Sequence, residues 1–244
     1  MMSTFKNVVL VHGAFADGSS WSDVIPLLRD NGFNVIAVQN PLTSLEDDVD
    51  ATNRAIESMD GPVLLVGHSY AGMVITEAGN HPNVAGLLYV CAMVPDDGQS
   101  VGDVIKGFNT PAAAEFRQDK FGFLTLSSKG IHENFAQDLP PRSREILYAV
   151  QVPWALKALS GTINKAAWKT RPSWSLIGTD DQTLGTELLR AGANKIKATT
   201  LELKSSHVPM LSMPDRVAAY IGRISEELEK SAVSKKEVEE SIGQ

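Results

Sequence analysis

Apolar segments of strand length alternate with segments of helical periodicity along most of the chain. Strand patterns, the first of them the continuous apolar run Val8-Val9-Leu10-Val11, occur at 8–11, 33–38, 63–66, 84–90, 174–177 and 199–203. Helical spacing and capping signals fill the intervals at 20–29, 44–59, 70–80, 186–191 and 215–229. Continuous apolar runs are typical of strands that are buried on both faces of a parallel sheet. The repeated strand-helix units therefore predict an α/β fold, with a mostly parallel sheet covered by helices on both faces.

The segment 95–171 interrupts this alternation. It is rich in Gly, Pro, aromatic and polar residues, and its helix signals are short. We therefore predict a single domain over 1–244, with a core at about 5–94 and 172–230 and an insertion at 95–171. The tail 231–244 is charged and lacks a clear apolar stripe, so it is predicted to fray.

Composition and charge narrow the function classes. The chain has 244 residues, 43% of them hydrophobic, and a formal net charge of −7, with Lys and Arg scattered along it. Because this balance provides no basic face, nucleic acid and anionic membranes are not expected partners. Cys91 is the only cysteine, and the N-terminus shows no secretory signal pattern. No apolar run approaches the ~20 residues of a spanning helix, so we expect a soluble, cytoplasmic protein.

The segment 62–72 ends an apolar strand in a serine that is flanked by small residues. Its core, Gly67-His68-Ser69-Tyr70-Ala71, differs from the G-x-S-x-G nucleophile elbow only in Ala71, and Gly72 follows at once. In that motif a strand turns sharply into a helix, and small neighbours allow the strained backbone of the serine. The alternative is a Gly-rich turn whose serine merely caps the helix. The rest of the chain has to decide between the two.

Partners for Ser69 follow later strands in the order that an α/β-hydrolase requires. A serine nucleophile needs a general base, and a third group that orients the base. Asp180 and Asp181 directly follow the fifth predicted strand, and His207 follows the sixth. Catalytic groups in open α/β sheets gather at the carboxyl ends of strands. Three chemically matched residues at such ends favour a serine hydrolase over an unrelated helix cap, turn and loop.

Two backbone N–H groups are predicted to form an oxyanion hole. One belongs to Tyr70, the residue after the serine, and the other belongs to Ala14, in the loop after the first strand. Gly13 and Gly18 would allow that loop to approach a substrate closely. An ordinary β-to-α turn explains the glycines equally well, but it leaves their position opposite the elbow as a coincidence.

The other histidines and the glycine-rich turns indicate no second site. His12 and His68 adjoin the site in sequence and are interpreted as structural, while His81 and His132 fall at a helix end and in the insertion. The sequence contains no H-E-x-x-H motif and no glycine-rich nucleotide-binding motif. We therefore expect neither a metal nor a cofactor.

Five separate segments together resemble one family. They are Val9-Leu10-Val11-His12-Gly13-Ala14 with Trp21, Val66-Gly67-His68-Ser69-Tyr70, Ala92-Met93-Val94-Pro95-Asp96, Gly178-Thr179-Asp180-Asp181 and Ser206-His207-Val208-Pro209-Met210-Leu211. The chain is similar to the small α/β-hydrolases of the plant methylesterase and hydroxynitrile lyase superfamily, and most similar to its bacterial members. The resemblance extends over about 7–229 and fails mainly in the insertion and the tail. It implies an α/β-hydrolase fold with a small helical cap over the serine.

The resemblance also assigns roles that the spacing alone leaves open. In the methylesterases the catalytic acid is the second acidic residue of a T-E-D pattern, which corresponds to Asp181 and not to Asp180. The lyases carry a threonine and a lysine at the positions of Gly13 and Val208, where they handle the substrate hydroxyl and the departing cyanide. Their absence favours ester hydrolysis. Ser69 at the elbow also excludes the aspartate-nucleophile mechanism of haloalkane dehalogenases.

The sequence thus predicts a serine hydrolase that cleaves small carboxylic esters through an acyl-enzyme. The alternatives are a receptor-like protein with slow turnover, and lactonase or lyase-type chemistry on the same triad. The acyl and alcohol groups stay open, as does the oligomeric state, a homodimer included. Aromatic residues of the insertion are candidates either for an apolar acyl pocket or for the core of the cap, namely Phe108, Phe116, Phe121, Phe123, Phe135, Trp154 and Trp168.

Overall fold

Six parallel strands form the main sheet in a computed structural model of the chain, which describes residues 5–242 and the side chains of 5–234. The strand order is β2-β1-β3-β4-β8-β9, and every neighbouring pair is parallel. The strands are β1 Asn7–Val11, β2 Asn34–Ala37, β3 Val63–His68, β4 Val84–Val90, β8 Ser173–Gly178 and β9 Thr199–Leu203. The predicted parallel α/β sheet is therefore confirmed.

The strand order reverses next to β1, which lies between β2 and β3. Val11 at the end of β1 is in register with Gly67 near the end of β3. Ligand crevices in open α/β sheets form outside the carboxyl ends of the strands at such a reversal. The loop after β1 and the turn after β3 therefore lie side by side at the place where a site is expected.

Most helices of the core lie close to their predicted positions. They are α1 Val24–Asp30, α2 Leu45–Glu57, α3 Ala71–Ala78, α7 Thr186–Lys195, α8 Pro209–Ser212 and α9 Pro214–Ile242. The helix predicted at 20–29 is divided into a 3₁₀ turn, Gly18–Trp21, and α1. Pro26 explains the break, because proline has no N–H to donate to the carbonyl of Ser22.

The final helix is longer than the sequence pattern indicates. The pattern predicts a helix over 215–229 and a frayed tail after 230, whereas α9 continues to Ile242. Residues 230–242 contain good helix formers such as Lys, Glu and Ala, and no Gly or Pro before Gly243, which explains the continuation. Residues 243–244 lie outside the described part of the chain. No helix between residues 5 and 242 is both long and apolar enough to cross a bilayer.

The segment between β4 and β8 contains a small antiparallel sheet, so the prediction of a helical cap is incomplete. This sheet has the order β5-β6-β7, with β5 Phe116–Gln118, β6 Phe123–Leu126 and β7 Trp154–Ala155. The α-helices of the segment are α4 Val101–Ile105, α5 Pro141–Ala149 and α6 Leu156–Ser160, and a π-helix spans Gly130–Phe135. The turn between β5 and β6 places Gly122 at a φ of 83°, and the Asp119 carboxylate accepts hydrogen bonds from two N–H groups of that turn.

Candidate active site

Ser69 occupies a sharp turn between β3 and α3. Its φ is 57°, in the left-handed region that residues other than glycine rarely adopt. Two backbone hydrogen bonds hold the turn against the end of β4: Ser69 N–H donates to Val90 O at 3.2 Å, and Met93 N–H donates to Ser69 O at 3.1 Å. The serine hydroxyl is thereby fixed at the carboxyl end of the sheet, as in a nucleophile elbow.

Close backbone packing explains why this elbow tolerates Ala71. A Cβ added at Gly67 would lie 2.8 Å from Ala71 O, and one added at Gly72 would lie only 1.9 Å from Met93 O. The positions that require glycine are therefore 67 and 72. The methyl group of Ala71 is accommodated within the core, where the residue is fully buried.

The structure brings Ser69, His207 and Asp181 into one hydrogen-bonded chain. His207 Nε2 lies 2.7 Å from Ser69 Oγ, and His207 Nδ1 lies 2.6 Å from Asp181 Oδ2. A carboxylate only accepts hydrogen bonds, so Nδ1 carries the imidazole proton and Nε2 is free to accept the serine proton. All three residues are buried, at 6%, 0% and 5% exposure respectively. This is the arrangement that activates a serine.

The two neighbouring aspartates have different surroundings. The second carboxylate oxygen of Asp181 accepts hydrogen bonds from the N–H groups of Thr183 at 2.8 Å and Leu184 at 2.9 Å. Asp180 is exposed, and its backbone N–H donates to Ser205 O at 3.0 Å. Asp181 alone therefore contacts the histidine.

Cap residues 134–138 hold the loops that carry the acid and the histidine. Gln137 Nε2 donates to Asp180 O at 2.6 Å, and the Asp138 carboxylate accepts from Ser206 N–H at 2.8 Å. Thr183 Oγ1 donates to Asn134 O at 3.0 Å. No signal in the sequence indicates this role, because these residues belong to no motif and their partners lie far away in the chain.

His68 has a closer relation to the site than its interpretation as a structural residue suggests. Its Nε2 donates to His207 O at 2.8 Å, and the centroids of the two rings are 4.7 Å apart. The ring of Phe135 covers His207 from another side, at a centroid distance of 5.1 Å. Burial lowers the pKa of His68 well below its usual range, so His68 stays neutral beside His207.

His12 anchors the loop that follows β1. The N–H of Asn40 donates to His12 Nε2 at 2.9 Å, which leaves Nδ1 to donate to Gly13 O at 2.8 Å. Burial lowers the pKa of His12 and favours this neutral form. The anchored loop places Ala14 beside Ser69 and Tyr70 on the wall of one cavity.

The cavity beside Ser69 is apolar. Four of the aromatic candidates line it, namely Phe108, Phe116, Phe135 and Trp154, together with aliphatic side chains such as Leu184 and Leu188. The lining residues include no Asp, Glu, Lys, Arg or His. Phe121 is 74% exposed, and Phe123 and Trp168 do not line the cavity. The cavity is therefore suited to an uncharged, apolar group.

The described residues offer no obvious metal site. Within this part of the chain, no three His, Cys, Asp or Glu side chains converge in a way that could hold a metal ion.

Sequence comparison assigns the fold to a known family. A model described as "Alpha/beta hydrolase family" matches residues 8–220. The chain belongs to the alpha/beta hydrolase family. This agrees with the parallel sheet and the elbow, and with the α/β-hydrolase fold that the sequence motifs imply.

Individual alpha/beta hydrolases are similar to this chain over most of their length. The pyrethroid hydrolase of Sphingobium wenxiniae is 26% identical over 89% of this chain and 87% of its own. Methylesterase 8 of Arabidopsis thaliana is 21% identical over 91% of this chain and 90% of its own. A solved structure of the pyrethroid hydrolase PytH has a TM-score of 0.80 at 23% identity, covering 91% of this chain and 98% of that one. The resemblance to the plant methylesterase superfamily is confirmed.

Proposed function

We propose that this protein is a serine hydrolase that cleaves small carboxylic esters through an acyl-enzyme intermediate. The observation that carries the proposal is the chain from Ser69 Oγ through His207 to Asp181, with hydrogen bonds of 2.7 and 2.6 Å. Relatives named pyrethroid hydrolase and methylesterase support ester substrates as the class.

In the first half of the reaction Ser69 Oγ attacks the ester carbonyl while His207 Nε2 takes the serine proton. The negative charge that develops on the carbonyl oxygen is stabilised by the backbone N–H groups of Ala14 and Tyr70. His207 then gives its proton to the alcohol, which leaves. Asp181 keeps the imidazole in the required tautomer and stabilises its cationic form.

In the second half, water replaces the alcohol. His207 takes a proton from the water as it attacks the acyl-enzyme, and returns it to Ser69 Oγ as the acid leaves. The apolar cavity accommodates the acyl group, and its lack of charged lining residues favours uncharged acyl chains or rings.

Packing around Gly13 supports hydrolysis over cyanohydrin cleavage. A Cβ at this position would lie 2.7 Å from Ser69 Cβ and 2.9 Å from His68 O, so the threonine of the lyases has no room here. Val208, at the position of the lyase lysine, is a buried apolar residue with 2% exposure. The site therefore lacks the hydroxyl and the cation that cyanohydrin chemistry would use.

Substrate profiling tests the proposal. On p-nitrophenyl esters of increasing acyl length we expect steady-state turnover, because water releases the acyl group from Ser69 after each cycle. Lactones and aryl methyl esters, tested in the same assay, show which alcohol groups the protein accepts. Cleavage of mandelonitrile faster than any ester would contradict the proposal, and so would tight ligand binding without turnover.

The state of the cysteine bears on the cellular location. Cys91 is buried and unpaired, which suits a reducing compartment. We therefore propose the cytoplasm.

A further inference from the structure

A buried carboxylate lies on α2, directly behind the elbow. Asp48 has 0% exposure, and no Lys or Arg among the described side chains pairs with it. One of its oxygens accepts a hydrogen bond from Leu42 N–H at 2.7 Å, and the other accepts from Tyr70 Oη at 2.8 Å. Asp48 thus holds two segments that are distant in the sequence.

Both hydrogen-bond partners of Asp48 are connected to the active site. Tyr70 follows Ser69, and its backbone N–H is one of the proposed oxyanion donors. Leu42 has a φ of 57°, and its carbonyl accepts a hydrogen bond from Ala155 N–H at 2.9 Å in β7 of the cap. Trp154, the preceding residue of β7, packs on the ring of Tyr70 at a centroid distance of 4.9 Å. The carboxylate is therefore the point where the elbow and the inner strand of the cap are joined.

We infer that Asp48 is a positioning residue for catalysis, which fixes the oxyanion donor at Tyr70 and keeps the cap strand at 154–155 against it. The inference rests on the proposed function, since it requires that Ser69 generates an oxyanion. It gives a role to the buried Asp48 carboxylate, which belongs neither to the hydrogen-bonded chain at Ser69 nor to the cavity wall.

The energetics of Asp48 argue against a role in stability alone. Burial raises the pKa of Asp48 to about 6, in spite of the hydrogen bonds from Leu42 and Tyr70 that lower it. The negative charge of Asp47, on the same helix, repels the Asp48 carboxylate and raises the pKa of Asp48 further. Ionised Asp48 is thus less favourable in the folded chain than in the unfolded one. Keeping this carboxylate ionised at neutral pH therefore costs folding free energy, which favours a functional reason for its charge.

Three variants test the inference by steady-state kinetics on a short p-nitrophenyl ester. Tyr70→Phe removes the donor, and Asp48→Leu removes both acceptor oxygens. We expect kcat to fall about tenfold in each with KM within twofold, since the oxyanion donor is displaced but not lost, and outright loss costs ~10²–10³. Asp48→Asn can still accept from Leu42 N–H and donate to Tyr70 Oη, so it should keep kcat within about threefold of wild type.

Tyr89→Phe is the matched control. Tyr89 Oη lies 2.8 Å from Thr76 Oγ1, a buried tyrosine hydrogen bond of the same length that lies away from the cavity. Its kcat should be unchanged. If Tyr70→Phe and Asp48→Leu lower kcat no more than Tyr89→Phe, or raise only KM, the inference is overturned. Should Asp48→Leu fail to fold, Tyr70→Phe alone still decides. Turnover that survives in Ser69→Ala would instead refute the proposed function, whatever the Asp48 variants show.

Thermal unfolding supplies a second readout. Between about pH 4 and 6 the unfolded chain ionises Asp48 before the folded chain does, so this group lowers stability as pH rises through that range. Asp48→Asn removes the effect. We expect its Tm relative to wild type to rise by roughly 5 °C between pH 4 and 7. A Tm difference between Asp48→Asn and wild type that stays constant from pH 4 to 7 would show that the charge of Asp48 is not held at a cost, contrary to this part of the argument.

Discussion

Replacing Ser69 by alanine is expected to lower kcat on activated esters by about 10⁴-fold or more while the protein stays folded. The substitution removes only the hydroxyl that lies 2.7 Å from His207 Nε2. The backbone of the elbow, held by Val90 and Met93, does not depend on that hydroxyl. Steady-state kinetics and thermal unfolding of the same preparation measure the two parts of this expectation.

Ser175→Ala is the matched control for that substitution. Ser175 is a buried serine on β8 with 4% exposure, and it does not line the cavity. The control variant should retain wild-type kcat. Equal activity in Ser69→Ala and Ser175→Ala would assign the chemistry to another residue.

Substitution of Asp181 by asparagine is expected to lower kcat by about 10⁴-fold, the size seen when a triad histidine is held in the wrong tautomer. At this position the amide oxygen would accept from the N–H groups of Thr183 and Leu184, as the Asp181 carboxylate does now. The amide NH₂ would then face His207 Nδ1. The imidazole proton would move to Nε2, which could no longer accept a proton from Ser69.

The neighbouring aspartate provides the comparison. Asp180 is exposed, and the bonds that its backbone makes to Ser205 and Gln137 do not involve its carboxylate. Asp180→Asn should therefore change kcat by less than threefold. The reverse ranking of the two variants would transfer the role of the acid to Asp180 and contradict the assignment that the resemblance to the methylesterases implies.

The parts of the fold that local sequence dictates could be predicted. The parallel strands are short apolar runs, and the elbow needs glycine at 67 and a second small residue nearby, so both leave a signal within a few residues. The end of α2 at Glu57 follows from Gly61-Pro62, and its start from the Ser44 side chain, which accepts from Asp47 N–H at 3.1 Å. The acid and the histidine could be predicted because catalytic groups in this topology lie just after the carboxyl ends of strands.

The parts that depend on distant contacts could not be predicted. The strands of the cap are two to four residues long, below the length at which alternation is informative. Residues 134–138 act on loops near 180 and 206, and Asp48 acts on a tyrosine 22 residues away. Asp48 lies in a helix whose first turn is acidic, so in the sequence it looks like an ordinary solvated helix start. Only the packing shows that this carboxylate is buried.

Locating the covalent adduct of a fluorophosphonate tests the central claim most directly. The probe is attacked by an activated serine in the way that an ester is, and it remains attached. Intact-protein mass spectrometry followed by peptide mapping should show one adduct per chain, on Ser69, and ester hydrolysis should fall in proportion to the labelled fraction. Labelling at a different residue, or undiminished hydrolysis by protein fully labelled at Ser69, would contradict the account.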